Sequence, residues 1–99
     1  MYIEKIFFVY IMATKRRGIL YIGVTSDLPV RIYKHISDFY EGFTKKYKIK
    51  RLVYYEIYND AYEAIRREKR LKKWKREWKI KLIEDYNPRW EDLYNDINK

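Results

Sequence analysis

Apolar residues crowd into three short dense runs, and elsewhere they recur at helical intervals. Residues Lys5–Ala13, KIFFVYIMA, are nearly continuous in apolar, β-branched and aromatic types, which predicts a strand buried on both faces. The polar stretch TKRRG, 14–18, reads as a turn, with Gly18 supplying unusual dihedrals. Ile19–Val24 is the second strand, and so short a connection makes the pair an antiparallel hairpin. Symmetric closure over residues 14–17 sets Ala13 opposite Gly18 and Tyr10 directly opposite Tyr21, on one face.

Leu28, Ile32, Ile36 and Phe39 then follow at helical spacing, with Ser26 or Asp27 as cap and Pro29 in the first turn. Glu41–Lys50, EGFTKKYKIK, reads as a basic loop, and Arg51–Tyr58, RLVYYEIY, as a third strand. Asn59 or Asp60 caps the next helix, and Asp60 with Glu63 fits a capping box. Helix formers run from Ala61 to about Asp85, with a break near Trp74. NPRWEDLYNDI, 87–97, predicts a final short helix with Asn87 as cap and Pro88 at its first position. The order β-β-α-β-α-α-α predicts an α+β fold: one domain over 1–99, a small three-stranded antiparallel sheet flanked by helices.

Composition narrows the chemistry. The chain has no cysteine and one histidine, which excludes disulfide scaffolds, zinc–thiolate sites, thiol catalysis and multi-histidine metal sites. The longest apolar run, Ile6–Ala13, is too short to span a bilayer, so the expectation is a soluble cytoplasmic protein without a membrane partner. Lys and Arg number 23 against 14 Asp and Glu, a net charge of +9, and aromatics reach 19%. Cationic charge with flat aromatic faces is what a nucleic-acid surface requires, for phosphates and for base stacking.

Five residues stand out against that background. Tyr10 and Tyr21 share a face of the hairpin in this register. Tyrosine pairs also stabilise sheets without any catalytic role. Arg31 and His35, four apart, share a helix face, with His35 inside the apolar stripe and Arg31 at its flank. A hydrogen-bonded core histidine is the plainer account of His35. Glu68 sits among Ala61, Ala64, Ile65, Leu71 and Lys72 on an inward face, where a carboxylate needs a cationic partner, either an arginine or a divalent metal. The stretch 66–81 holds ten basic residues and two acidic ones. Trp74, Trp78 and Leu82 are spaced to pack inward there, leaving lysines such as Lys72 and Lys75 to follow phosphates, with Lys45, Lys46 and Lys48 in the basic loop.

Taken in order, these segments resemble the GIY-YIG nuclease superfamily. FVY (8–10) and YIG (21–23) form the paired motif, followed by DLPVRIYKH, RLVYYE and AYEAIRREKRLKKW, across most of the chain. The sequence is most similar to the small single-domain bacterial YhbQ-like (UPF0213-like) group. One departure is Phe8, where the family motif begins with glycine. The resemblance implies a metal-dependent DNA endonuclease with one divalent ion, Mg²⁺ or Mn²⁺, held by Glu68. It makes Tyr10 the general base, and lets His35 share or relay its proton. Arg31 grips the phosphate, Tyr21 hydrogen-bonds the phosphate or the attacking water, and Gly23 lets backbone turn beside the phosphate. Asn87 matches a late asparagine of some members, although helix capping explains it equally. With no appended targeting domain, it implies weak sequence specificity and selection by DNA structure, in repair or recombination, or targeting by a protein partner. The alternatives are a non-catalytic nucleic-acid-binding module on the same fold and a basic protein-interaction module. Oligomeric state stays open.

Overall fold

The computed structural model describes residues 5–98. The strands β1 (Phe7–Ala13), β2 (Leu20–Thr25) and β3 (Arg51–Tyr58) form an antiparallel sheet in the order β2-β1-β3. The helices are α1 (Leu28–Ile36), α2 (Phe43–Lys46), α3 (Ala61–Lys73), α4 (Arg76–Tyr86) and α5 (Tyr94–Ile97). The expected α+β architecture is what forms. β1 takes the central place because its apolar run can be covered on both sides, and Val9–Ala13 are all buried.

Two cores lie on opposite faces of the sheet, as the alternation of strand side chains requires. Val9, Ile11, Ala13 and Ile22 pack with Ala64 and Leu71 of α3, Ile83 of α4 and Trp90. Tyr10, Met12 and Leu52 pack on the other face with Leu28 and Ile32 of α1 and with Ile49. Asp27 starts α1, its carboxylate accepting from the Val30 amide at 3.3 Å, with Pro29 in the first turn.

The hairpin register differs from symmetric closure. Ala13 pairs with Leu20, Met12 with Tyr21 and Tyr10 with Gly23. The loop closes over more residues because the Thr14 amide donates to the Ile19 carbonyl at 3.1 Å and the Ile19 amide to Thr14 Oγ1 at 3.0 Å. The shift is two residues, so side-chain parity is kept and both tyrosines still share a face.

Other expectations are corrected. The basic loop contains a helix, α2, which starts at Gly42 in a positive-φ conformation (φ 108°) that L side chains rarely adopt. Phe39 leaves the apolar stripe because α1 ends at Ile36 and Asp38 turns the chain at φ 59°, so its ring is exposed. Asp60 does cap α3 through the Tyr62 amide, but Glu63 pairs with Arg66 rather than completing a capping box. Trp74 and Lys75 are extended and break the long helix, which rotates Trp78 out to solvent while Trp74 and Leu82 still pack on the core. Ile65 is also exposed. Asn87 ends α4 instead of starting a helix, and Pro88 lies in the following turn, so the final helix begins only at Tyr94.

Candidate active site

Tyr10 stands at the centre of the sheet, 1% exposed, with its ring laid across Gly23 on β2. A Cβ at Gly23 would collide with Cζ and the hydroxyl of Tyr10. The glycine is therefore needed for a close side-chain approach, with no unusual backbone angle involved. Tyr21 lies diagonally beside Tyr10, ring centroids 6.3 Å apart. The Tyr10 hydroxyl is 3.0 Å from His35 Nε2, and His35 Nδ1 is 3.2 Å from Thr44 Oγ1 on α2. His35 is buried among three rings, those of Tyr10 (5.9 Å), Tyr21 (5.2 Å) and Tyr40 (4.9 Å).

Arg31, one turn before His35, lies with its guanidinium 5.2 Å from the centre of the Tyr40 ring, and no carboxylate pairs with it among the described residues. Burial, then the Arg31 charge, lowers the His35 pKa to about 4, so the imidazole is neutral at pH 7. Burial above all, with Tyr21, Tyr40 and Glu68, pushes the Tyr10 phenol far above its ordinary range, and Arg31 opposes this. Glu68 comes from α3, whose core packs on the opposite face, yet its charge reaches Tyr10. Its side chain is 13% exposed and its Oε2 lies 2.9 Å from Nζ of Lys72, itself 52% exposed. The structure thus joins Tyr10, Tyr21, Arg31 and His35 by hydrogen bond and ring contact, and Glu68 by charge.

Comparison with known proteins gives the domain a family. Residues 6–81 match the family model described as the GIY-YIG catalytic domain. The chain belongs to the GIY-YIG family. UPF0213 proteins of Staphylococcus saprophyticus and Staphylococcus epidermidis are each 36% identical over 78 residues, covering 79% of this chain and 94% of the relative. The solution NMR structure of a UPF0213 protein from Bacillus halodurans superposes with TM-score 0.55 at 30% identity, covering 89% of this chain and 93% of that one. The chain therefore falls in the small UPF0213-like GIY-YIG group, and membership implies nuclease-type chemistry on nucleic acid.

GIY-YIG nucleases generally use a divalent ion, and the residues here fit one of a particular kind. No group of three metal-ligating side chains stands together among the described residues. A lone, mostly buried carboxylate suits Mg²⁺, which binds through one or two carboxylates and completes its shell with waters and substrate phosphate. Glu68 is already paired with one cation, the Lys72 ammonium, whose side chain is half exposed.

The remaining expected residues have partners outside the Tyr10–His35 cluster. Lys45 and Lys46 are exposed on α2, Lys45 paired with Glu41 at 3.0 Å and Lys46 over the Tyr47 ring at 5.3 Å. Lys72 is engaged by Glu68, and Lys75 lies over Trp78 at 5.5 Å. Asn87 has a full structural occupation. Between Ile11 and Met12 the β1–β3 ladder shifts, leaving Val53 without a β1 partner. Asn87 Nδ2 donates to the Val53 carbonyl at 3.1 Å and to Glu91 O at 2.9 Å, and Oδ1 accepts from the Glu91 amide at 3.1 Å. Sequence reading missed Thr44 and Tyr40. A hydroxyl in a basic stretch carries no periodic signal, and its burial follows from the helix that Gly42 opens.

Proposed function

We propose that this GIY-YIG domain is a metal-dependent DNA endonuclease. The observation that carries the reading is the buried chain Tyr10–His35–Thr44, flanked by an arginine with no carboxylate partner among the described residues and within the field of Glu68. A Mg²⁺ or Mn²⁺ held by Glu68 supplies, when bound, charge neutralisation at the scissile phosphate and at the leaving 3′ oxygen. Arg31 offers its planar fork to the non-bridging oxygens. Tyr21 lies on the same face, in reach to orient the phosphate or the attacking water.

A standing tyrosinate is strongly disfavoured at Tyr10. The neutral imidazole beside it offers another route. The phenol oxygen takes the proton of the attacking water as its own proton passes to His35 Nε2, so the charge never rests on Tyr10. Exposed Phe39, Phe43 and Tyr47, with Lys34 and Lys46 over neighbouring rings, form a cationic aromatic rim suited to DNA. Weak sequence specificity fits a rim of lysines and rings suited to phosphates and base faces, with selection resting on DNA structure, as in repair or recombination intermediates. The polar catalytic chain favours this reading over a binding module on the same fold.

The test is a panel of labelled single-stranded, duplex, flap and four-way-junction DNA with Mg²⁺, Mn²⁺ or EDTA. Cleavage that needs metal, and that disappears in Tyr10→Phe and Glu68→Gln while binding persists, supports the endonuclease. Salt-sensitive binding with no cutting of any substrate sinks it in favour of the binding module.

A further inference from the structure

We propose that Thr44 is a positioning residue of this site: its hydroxyl holds His35 as the Nδ1–H tautomer, leaving Nε2 bare to receive the proton of Tyr10. The inference rests on the endonuclease reading for its purpose, but on hydrogen-bond geometry for its substance. A neutral imidazole carries one N–H, and the bond made by one nitrogen decides the role of the other. With Tyr10 at 3.0 Å from Nε2 and Thr44 at 3.2 Å from Nδ1, two arrangements satisfy both contacts. Either Tyr10 donates to Nε2 and Nδ1–H donates to Thr44, or Thr44 donates to Nδ1 and Nε2–H donates to Tyr10.

The second arrangement strands the phenolic hydrogen of Tyr10. Tyr10 is 1% exposed and has no other hydrogen-bond partner among the described residues. A buried donor left without an acceptor costs about 1–3 kcal/mol. The first arrangement leaves only the Thr44 hydroxyl hydrogen free. That rotor belongs to a residue 5% exposed, against 1% for Tyr10, on a helix whose other three residues are exposed. The first is also the only arrangement in which the relay can run, because a protonated Nε2 cannot accept.

The local backbone is built to hold this hydroxyl in place. Gly42 opens α2 with a positive φ, Lys45 and Lys46 face solvent, and Thr44 is the buried residue of the four. Its own carbonyl accepts from the amide of fully buried Ile49 at 2.9 Å, which fastens the helix to the core beneath α1. The titratable and charged groups around the imidazole are Tyr10 of β1, Tyr21 of β2, Arg31 of α1 and Tyr40. None of these touches Nδ1 in place of Thr44.

The protein has a single histidine, so long-range ¹⁵N–¹H correlation spectra of the full chain at neutral pH report this tautomer without ambiguity. The expected result is Nδ1–H in the wild type and in Thr44→Ser. Thr44→Val, whose fold is checked by its amide spectrum, should show a mixture with the Nε2–H form. Should the valine variant fail to fold, wild type and Thr44→Ser carry the test. An Nε2–H wild type, or a valine variant with an unchanged tautomer, overturns the proposal. On a cleaved substrate, Thr44→Val should lower kcat about 10-fold or more with KM little changed, and serine should restore it. The tautomer measurement needs no DNA. An inactive protein would thus sink the nuclease reading and leave this proposal to stand or fall separately.

Discussion

The Tyr10 cluster and the Glu56 cluster use similar residue types on opposite faces of one sheet, but they end differently. On β3, alternate residues Tyr54, Glu56 and Tyr58 face α3. Arg67 of α3 clamps Glu56 with two parallel bonds of 2.9 and 2.8 Å and lies over the Trp74 ring. Both tyrosine hydroxyls donate to the same carboxylate. Burial alone would raise the Glu56 pKa, but the bonds from Arg67, Tyr54 and Tyr58 win and hold it below the ordinary range. Burial, with the Glu56 bond, pushes Tyr58 up to about 12. Every strong donor and acceptor in that cluster finds a protein partner. On the Tyr10 face the chain of bonds is neutral, and among the described residues Arg31 has only a ring and Glu68 only a half-exposed lysine. The difference teaches where to look for function: a half-buried charge clamped from all sides holds structure, and an incompletely paired charge beside a buried hydrogen-bond chain is where a ligand is to be sought.

The comparison breaks most forcefully at the clamp. Arg67→Ala leaves a partly buried carboxylate uncompensated and should cost about 3 kcal/mol in chemical denaturation. Whatever fraction remains folded should keep its DNA binding. A loss of DNA binding out of proportion to unfolding would place Arg67 in the functional face instead. Gly23→Ala should cost about 1–3 kcal/mol, because its Cβ meets the Tyr10 ring, and should displace the Tyr10 hydroxyl from His35. Unaltered His35 spectra in that variant would contradict the close approach.

A smaller effect is set by pH. His35 titrates at about 4 in the folded protein against an ordinary 6.5, so between those values the unfolded chain binds more protons. Its contribution to stability is full above pH 6.5 and fades as pH falls toward 4. His35→Gln should flatten that slope, and Arg31→Ala should raise the NMR-measured pKa of His35. The smallest effect is expected at Lys45, whose solvent-screened pair with Glu41 adds little to stability. Lys45→Ala should leave thermal stability nearly unchanged and lower the salt slope of DNA binding by about 1.

Much of this was legible in the chain. The apolar run of β1 required a central strand, Asp27 with Pro29 marked the start of α1, and the long basic helix broke at Trp74 as expected. These depend on local preferences and on the 2.0 and 3.6 periods, which a sequence carries directly. The pairing of Tyr10 with Gly23 was not legible. The register hangs on Thr14 closing a wider loop, and only parity saved the shared face of the two tyrosines. Asn87 looked like a cap, and became the amide that serves a carbonyl freed by a shift in a strand far away in sequence.

By itself, then, the sequence determined the three strands, the long helices and their order, the cationic charge and the residue types a nuclease chemistry needs, but not the short helix α2 or the start of the last one. Only the tertiary structure decided which of these meet. It laid Tyr10 over Gly23, brought Thr44 up to His35, and among the described residues gave Arg31 a ring and no carboxylate while Glu56 was clamped by Arg67. The physical reason is that period and propensity act along the chain. Hydrogen-bond satisfaction and burial are settled between elements distant in sequence, once the whole core has closed.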